Sequence, residues 1–208
     1  MTRLITYIAL MLFACSSAMA RSVSEVFVDE ASPVFGKIDK TTRLDMVDYY
    51  AAGQKKVVRD QMDGETYIES MTDDYMKVVI SSAATVEMRL VDSRQGKIIV
   101  VSTTYTLPAA DSRIDIYDET WNPLDSRRYV AMPVLDDLLV GVDKKRRSEI
   151  ESIVDFTLIG ASLANVDTIV FTPSFDKYLS DEDYDAIKPY VRTSVVYRWN
   201  GKRYTPSK

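Results

Sequence analysis

Thr85-Val86-Glu87-Met88-Arg89-Leu90 is the stretch that decides the fold class. Val86, Met88 and Leu90 alternate with Thr85, Glu87 and Arg89, the period-two signature of a strand with one apolar and one polar face. Such alternation suits an antiparallel sheet whose polar side meets water, so Glu87 and Arg89 are expected to be exposed. The strand runs Thr85–Val91, and, working outward, Thr66–Met71, Tyr75–Ile80, Lys97–Thr106 and Arg113–Tyr117 read as further strands. Asp63-Gly64, Asp73-Asp74, Ser81-Ser82 and Ser93–Gly96 separate them as turns. Strand following strand at such short spacing predicts a meander, and the βαβ alternation of a nucleotide-binding sheet is absent.

Helical patterns flank the strands. Ser22–Val28 is a short helical or extended entry. Thr42–Ala52 reads as an amphipathic helix, with Thr42 and Asp45 forming a capping-box pattern, Leu44, Val47 and Ala51 sharing a face, and Gly53 stopping it. Asp118–Pro133 reads as irregular. Lys144-Lys145-Arg146-Arg147 precedes a helix whose apolar stripe is Ile150, Ile153, Val154, Leu158 and Ile159, and the basic run reads as its solvated start. Asp167–Thr172 and Thr193–Trp199 are strands, and Ser180–Asp183 caps a brief helix between them. Asn200-Gly201 signals a two-residue hairpin with Lys202–Tyr204 returning. The expected class is therefore α+β: antiparallel meander sheets with a few packed helices. The pattern allows two similar lobes, 21–133 and 134–208, although residue identity between them supports no repeat.

The first twenty residues read as a leader for export. Arg3 is followed by the apolar run Leu4–Ala14, broken only by Thr6, and then by Ala18-Met19-Ala20, a small-x-small cleavage pattern ahead of Arg21. The run falls short of the roughly 20 apolar residues of a membrane helix, and no later segment approaches that length. A second route competes: Leu12-Phe13-Ala14-Cys15 resembles a lipoprotein box, in which Cys15 would be lipidated and hold the protein to a membrane face. The expected compartment is the periplasm or envelope of a Gram-negative cell, with an outer-membrane lipoprotein as the alternative.

Composition narrows the chemistry. The 208 residues carry 26 basic and 31 acidic side chains, a net charge of −5. Loss of the leader, whose one charge is Arg3, makes the balance more negative still, which argues against nucleic acid as a partner. The chain has one Cys, in the leader, and no His. Removal of the leader thus leaves no disulfide, no thiolate nucleophile, no His-based triad and no zinc-type ligand set. Neither a cofactor nor a resident metal is expected. The acidic run Ser180–Asp185 lacks the glycine and terminal glutamate of a calcium loop and reads as helix capping. The seven glycines are scattered and form no phosphate cradle.

Trp121, in the irregular segment beside Pro123, is the candidate ligand-binding aromatic, expected to be exposed. Tyr197 and Trp199 fall on a face expected to be buried.

Several stretches together resemble one family. Thr42–Gly53 (TRLDMVDYYAAG), Leu107–Arg113, Tyr117-Asp118 with Trp121, and Tyr197–Tyr204 are similar, in order, to an uncharacterised exported family of Bacteroidales labelled domain of unknown function 3256. The resemblance implies a Gram-negative envelope and an α+β fold. It implies no activity and supplies no catalytic residues. The leading functional expectation is a non-enzymatic binder of an envelope protein, peptide or glycan. The alternatives are a carboxylate-based glycan hydrolase, which needs two acids facing each other across a cleft, and a structural lipoprotein. Mass spectrometry of the native protein is expected to find Arg21 as the N-terminus; an acylated Cys15 terminus would select the lipoprotein route instead.

Overall fold

A computed structural model describes residues 21–59 and 64–207. Cys15 and Ala20 lie outside them. The strands are β1 (Val58–Arg59), β2 (Glu65–Met71), β3 (Tyr75–Ser81), β4 (Ala84–Ser93), β5 (Gly96–Tyr105), β6 (Asp111–Asp118), β7 (Pro123–Leu124), β8 (Ile159–Ser162), β9 (Thr168–Pro173), β10 (Val195–Trp199) and β11 (Tyr204–Pro206). The α-helices are α1 (Val23–Val28), α2 (Lys40–Ala51), α3 (Ser126–Tyr129), α4 (Leu135–Leu138), α5 (Lys144–Ile153) and α6 (Asp181–Ile187). β1 to β7 form one sheet in sequence order, and β11-β10-β9-β8 form a second, all antiparallel. The α+β meander expected from the sequence is what the chain forms. The five strands read between residues 66 and 117 all stand within two residues of their expected ends.

Val86, Met88 and Leu90 point to one face of the first sheet. There they join Ile68, Met76, Val78, Ile99 and Val101 beneath α1 and α2. Ser22 opens α1 with a capping box: its hydroxyl accepts from Glu25 N at 3.3 Å and Glu25 Oε2 accepts from Ser22 N at 2.7 Å. The N-cap of α2 is Asp39, not Thr42; its carboxylate accepts from Thr42 N at 2.9 Å. Starting earlier turns a different stripe inward. Arg43 and Met46 are buried, whereas Leu44 and Ala51 are exposed. Arg43 is buried because its guanidinium donates to Phe27 O at 2.7 Å and Asp29 O at 3.0 Å, carbonyls at the end of α1 that have no partner within the helix. The Tyr50 hydroxyl accepts from Met71 N at 3.1 Å, which fixes α2 to β2.

The other face of the first sheet is covered as well, so the expected exposure of Glu87 and Arg89 is overturned. They are 6% and 3% exposed, beneath the second sheet. β8 is an edge strand of that sheet, and its outward backbone groups find side chains instead of a neighbouring strand. Ile159 N donates to Asp111 Oδ1 (3.2 Å) and Ala161 N to Ser112 Oγ (2.7 Å), both residues of β6. Ala161 O accepts from Ser102 Oγ of β5 (3.0 Å). Leu163 N donates to Glu87 Oε2 (2.7 Å), and Arg89 donates to Leu163 O (2.7 Å) and Ala164 O (2.9 Å), both from β4. The segment thus crosses β6, β5 and β4 in turn. The approach is close at Gly160, where a Cβ would stand 3.3 Å from the Ala110 Cβ. Arg89 also pairs with Asp74 at 2.7 Å. Burial, and then the neighbouring Glu87, push the Tyr75 hydroxyl well above its ordinary pKa, so it stays protonated.

Residues of both halves share one apolar cluster: Val91, Ile98, Val100, Ile114 and Ile116 from the first sheet meet Ile159, Ile169, Phe171 and Tyr197 from the second. Leu138, Ile150 and Ile187 close it from α4, α5 and α6. Stretches 21–133 and 134–208 therefore pack around a common interior.

Other boundaries moved. The basic run Lys144–Arg147 lies inside α5, which Asp143 caps, and the helix ends at Ile153, so Ile159 belongs to β8 and not to the helical stripe. Ser180 caps α6, its hydroxyl accepting from Asp183 N at 3.1 Å. Asn200–Arg203 is a four-residue loop and not a two-residue turn, because Trp199 pairs with Tyr204. Asp118–Pro133, expected to be irregular, holds β7 and α3.

Leu90→Ala is expected to cost about 2–5 kcal/mol by leaving a cavity under the helices. Glu87→Ala is expected to cost about 1–3 kcal/mol by leaving Leu163 N–H without an acceptor. Chemical denaturation measures both; a Glu87→Ala variant as stable as the parent would remove the clamp from this account.

Candidate functional site

Trp121, the residue selected from the sequence, is 4% exposed and sits under α1. Its indole N–H donates to Val26 O at 3.2 Å and its ring meets Tyr117 edge-on at 5.1 Å. Asp118 turns it inward. That carboxylate accepts from Thr120 N (2.9 Å) and Asn122 N (3.0 Å), holding a tight turn in which Trp121 has φ +67°. Burial pushes the Asp118 carboxyl up, but the hydrogen bonds from Asn122 and Thr120 outweigh it and hold the group below its ordinary range. Trp121 is thus a core residue, and the expectation of an exposed aromatic at this position is corrected. The segment beside Pro123 looked irregular because a turn of this kind has no periodicity.

A concave, polar site lies elsewhere, where three turns meet. Ser93, Arg94 and Gln95 of the β4–β5 turn, Arg128 and Tyr129 of α3, and Gly201 and Lys202 of the β10–β11 loop line a cavity of about 290 Å³. Each turn is locked locally. Ser93 Oγ donates to Gly96 O at 2.6 Å and accepts from Gln95 N at 3.2 Å. Asp125 caps α3 by accepting from Arg127 N at 3.3 Å. Asn200 Oδ1 accepts from Lys202 N (3.0 Å) and Arg203 N (2.9 Å), and Gly201 adopts the φ of +84° that the loop requires.

Trp199 ties the turns together. Its indole N–H donates to Asp92 O at 2.9 Å, joining β10 to the end of β4. Its ring lies nearly parallel to Tyr129, with centroids 6.4 Å and planes 12° apart, and meets Tyr204 at 5.0 Å. Trp199 was expected to be buried and is partly so; it is the support of the cavity wall that Tyr129 forms.

The charge of the lining is one-sided. Arg94, Arg128 and Lys202 are exposed cations, and the lining contains no Asp or Glu. Of the neighbouring acids, Asp92 pairs with Lys97 at 2.8 Å, while Asp125 caps α3 and pairs with Arg128 at 3.3 Å, so Arg94 and Lys202 are the lining cations without a carboxylate partner among the described residues. Among the described residues no group of three His, Cys, Asp or Glu is placed to hold a metal.

A second cavity, between α4 and β10, does carry the neighbouring acids Asp136 and Asp137. Asp137 accepts from Val134 N at 2.9 Å and Asp136 pairs with Arg147 at 2.7 Å, so both already serve the helix and its neighbour. They stand side by side on one helix, whereas hydrolysis needs acids facing each other across a cleft.

The sequence showed two of the three segments as turns, at Ser93–Gly96 and Asn200-Gly201, but left α3 within an irregular stretch, and nothing in it showed that the three converge. Arg94, Arg128, Tyr129 and Lys202 were therefore missed as site residues. The placement of the two tryptophans is directly measurable. Trp199→Phe, leaving Trp121 alone, is expected to give blue-shifted emission that iodide barely quenches. Trp121→Phe, leaving Trp199, is expected to be quenched by iodide more strongly than by caesium, because the lining is cationic. The reverse order would refute this geometry.

None of the curated protein sequences matches the chain. Among solved structures, a domain of an uncharacterized protein from Porphyromonas gingivalis W83 is similar, with a TM-score of 0.75 and 22% identity, covering 91% of this chain and 99% of that one. At that identity the likeness speaks to the fold. No helix among the described residues is long and apolar enough to cross a membrane. The family model described as "Protein of unknown function (DUF3256)" matches residues 15–204, and the chain belongs to that family.

Proposed function

We propose that the chain is exported to the cell envelope and acts there as a non-enzymatic binding protein, with the cavity between Arg94, Arg128, Tyr129 and Lys202 as its ligand site. The observation that carries this reading is the convergence of three sequence-distant, internally locked segments on one concavity with a cationic lining and an aromatic wall. A site of this build holds its shape without a ligand, which spares the ordering cost of binding. The leader-like residues 1–20 support export, and processing at Cys15 in place of Ala20 would keep the same site on a membrane surface.

Catalysis is disfavoured by the chemistry of the lining. With no histidine in the chain and no carboxylate in the cavity, a general base there would have to be a lysine or a tyrosine. A thermal-shift screen of envelope glycans, peptides and small anions is expected to raise the melting temperature for at least one class, without turnover. An Arg94→Ala/Lys202→Ala double variant is expected to lose that shift. Turnover of a glycan abolished by a single Asp or Glu substitution would replace this reading with the hydrolase.

A further inference from the structure

Resting on that reading, we infer that the cavity takes the terminal ring of an acidic saccharide, with its carboxylate or sulfate group held by Arg94, Arg128 and Lys202. The argument starts from hydrogen-bonding capacity. Arg and Lys side chains donate and never accept. The remaining polar lining is Ser93, whose hydroxyl is occupied within its own turn, the amide of Gln95 and the phenol of Tyr129. Sites for uncharged sugars need acceptors for sugar hydroxyls, and here the balance runs the other way. A ligand rich in acceptors is favoured, and an oxyanion is the group that Arg forks recognise most strongly.

Charge points the same way. Three cations share the lining of one cavity with no lining carboxylate, on a chain whose net charge is −5. Arg128 is offset by Asp125 at 3.3 Å, which leaves Arg94 and Lys202 as the cations free to meet an anion.

Two observations favour a ring over an acidic peptide. First, the turn amides of Gln95, Lys202 and Arg203 already donate to Ser93 and Asn200, so these turns offer no free backbone ladder to a peptide main chain. Second, the Tyr129 wall is backed by Trp199, which is itself fixed through Asp92 O. It is a rigid aromatic surface of the kind on which apolar ring faces pack. A volume of about 290 Å³ is at the lower limit of ordinary ligand pockets and fits a terminal unit, not a run of polymer.

Calorimetry on the protein produced from its whole coding sequence tests this with four probes: a digalacturonate, the uncharged disaccharide of the same ring type, a hexaglutamate peptide and sodium sulfate. Digalacturonate is expected to bind at least about tenfold more tightly than the other three, and to weaken as salt rises. Arg94→Ala and Lys202→Ala are each expected to weaken it by about tenfold. Both residues are exposed, so circular dichroism and melting temperature should not change. Equal binding of the uncharged disaccharide would overturn the acidic specificity while leaving the cavity as a binding site. Tighter binding of hexaglutamate would overturn the saccharide in favour of an acidic polypeptide. Digalacturonate binding that neither variant weakens would overturn both this inference and the site on which it rests.

Discussion

The outer edge of β8 is the constraint on which the rest of the structure depends. A strand edge buried against a sheet must find partners for its backbone, since an unpaired buried N–H or C=O costs about 1–3 kcal/mol. Edge strands are usually exposed, shortened or covered. Here five side chains of the first sheet take the place of a neighbouring strand: Asp111, Ser112, Ser102, Glu87 and Arg89. Ser112, Ser102, Glu87 and Arg89 lie on one face of β6, β5 and β4, with Asp111 at the start of β6 beside them, which is why residues 159–164 cross those strands in turn. Register between the sheets follows from this, because a shift of one residue would turn the wrong backbone groups toward the side chains.

The same layering explains the ends of the molecule. Once the second sheet is docked, the tip of the β10–β11 hairpin lies beside the β4–β5 turn, and Trp199 closes the seam through its bond to Asp92 O. The candidate cavity is a by-product of that seam with α3 as its third side. Its charged residues stand on turns that bury little, so they are free of the packing demands that fix the interior. The opposite face of the first sheet follows a separate logic. There Arg43 ends α1 by donating to its terminal carbonyls, and Trp121 reaches the same helix through Val26 O, so a charged and an aromatic side chain both serve to hold a six-residue helix on the sheet.

Glu87 and Arg89 show how far a single sequence can be read. Their alternation with Val86, Met88 and Leu90 fixed a strand and its two faces correctly. It did not say what lies against the polar face, because a charged side chain directed at water and one directed at a buried backbone occupy the same period-two position. Burial of such groups is tolerated here because Glu87 meets an N–H, while Arg89 meets two carbonyls and a carboxylate. Trp121 failed for the complementary reason: its burial depends on a turn built by Asp118, and turns leave no periodic trace.

What the sequence determined by itself was local. It specified the five central strands, the Ser180 cap, the stop at Gly53 and the α+β class, each through period, cap or turn chemistry within a few residues. The absence of histidine also bounded the chemistry before any fold was known. The tertiary structure decided everything that joins residues far apart in the chain: the clamp of β4, β5 and β6 on residues 159–164, the burial of Trp121 and Arg43, and the meeting of Arg94, Arg128 and Lys202 around one cavity. Those arrangements depend on how the two sheets pack, and packing is set by long-range complementarity of shape and hydrogen bonding, for which a single sequence carries no local signal.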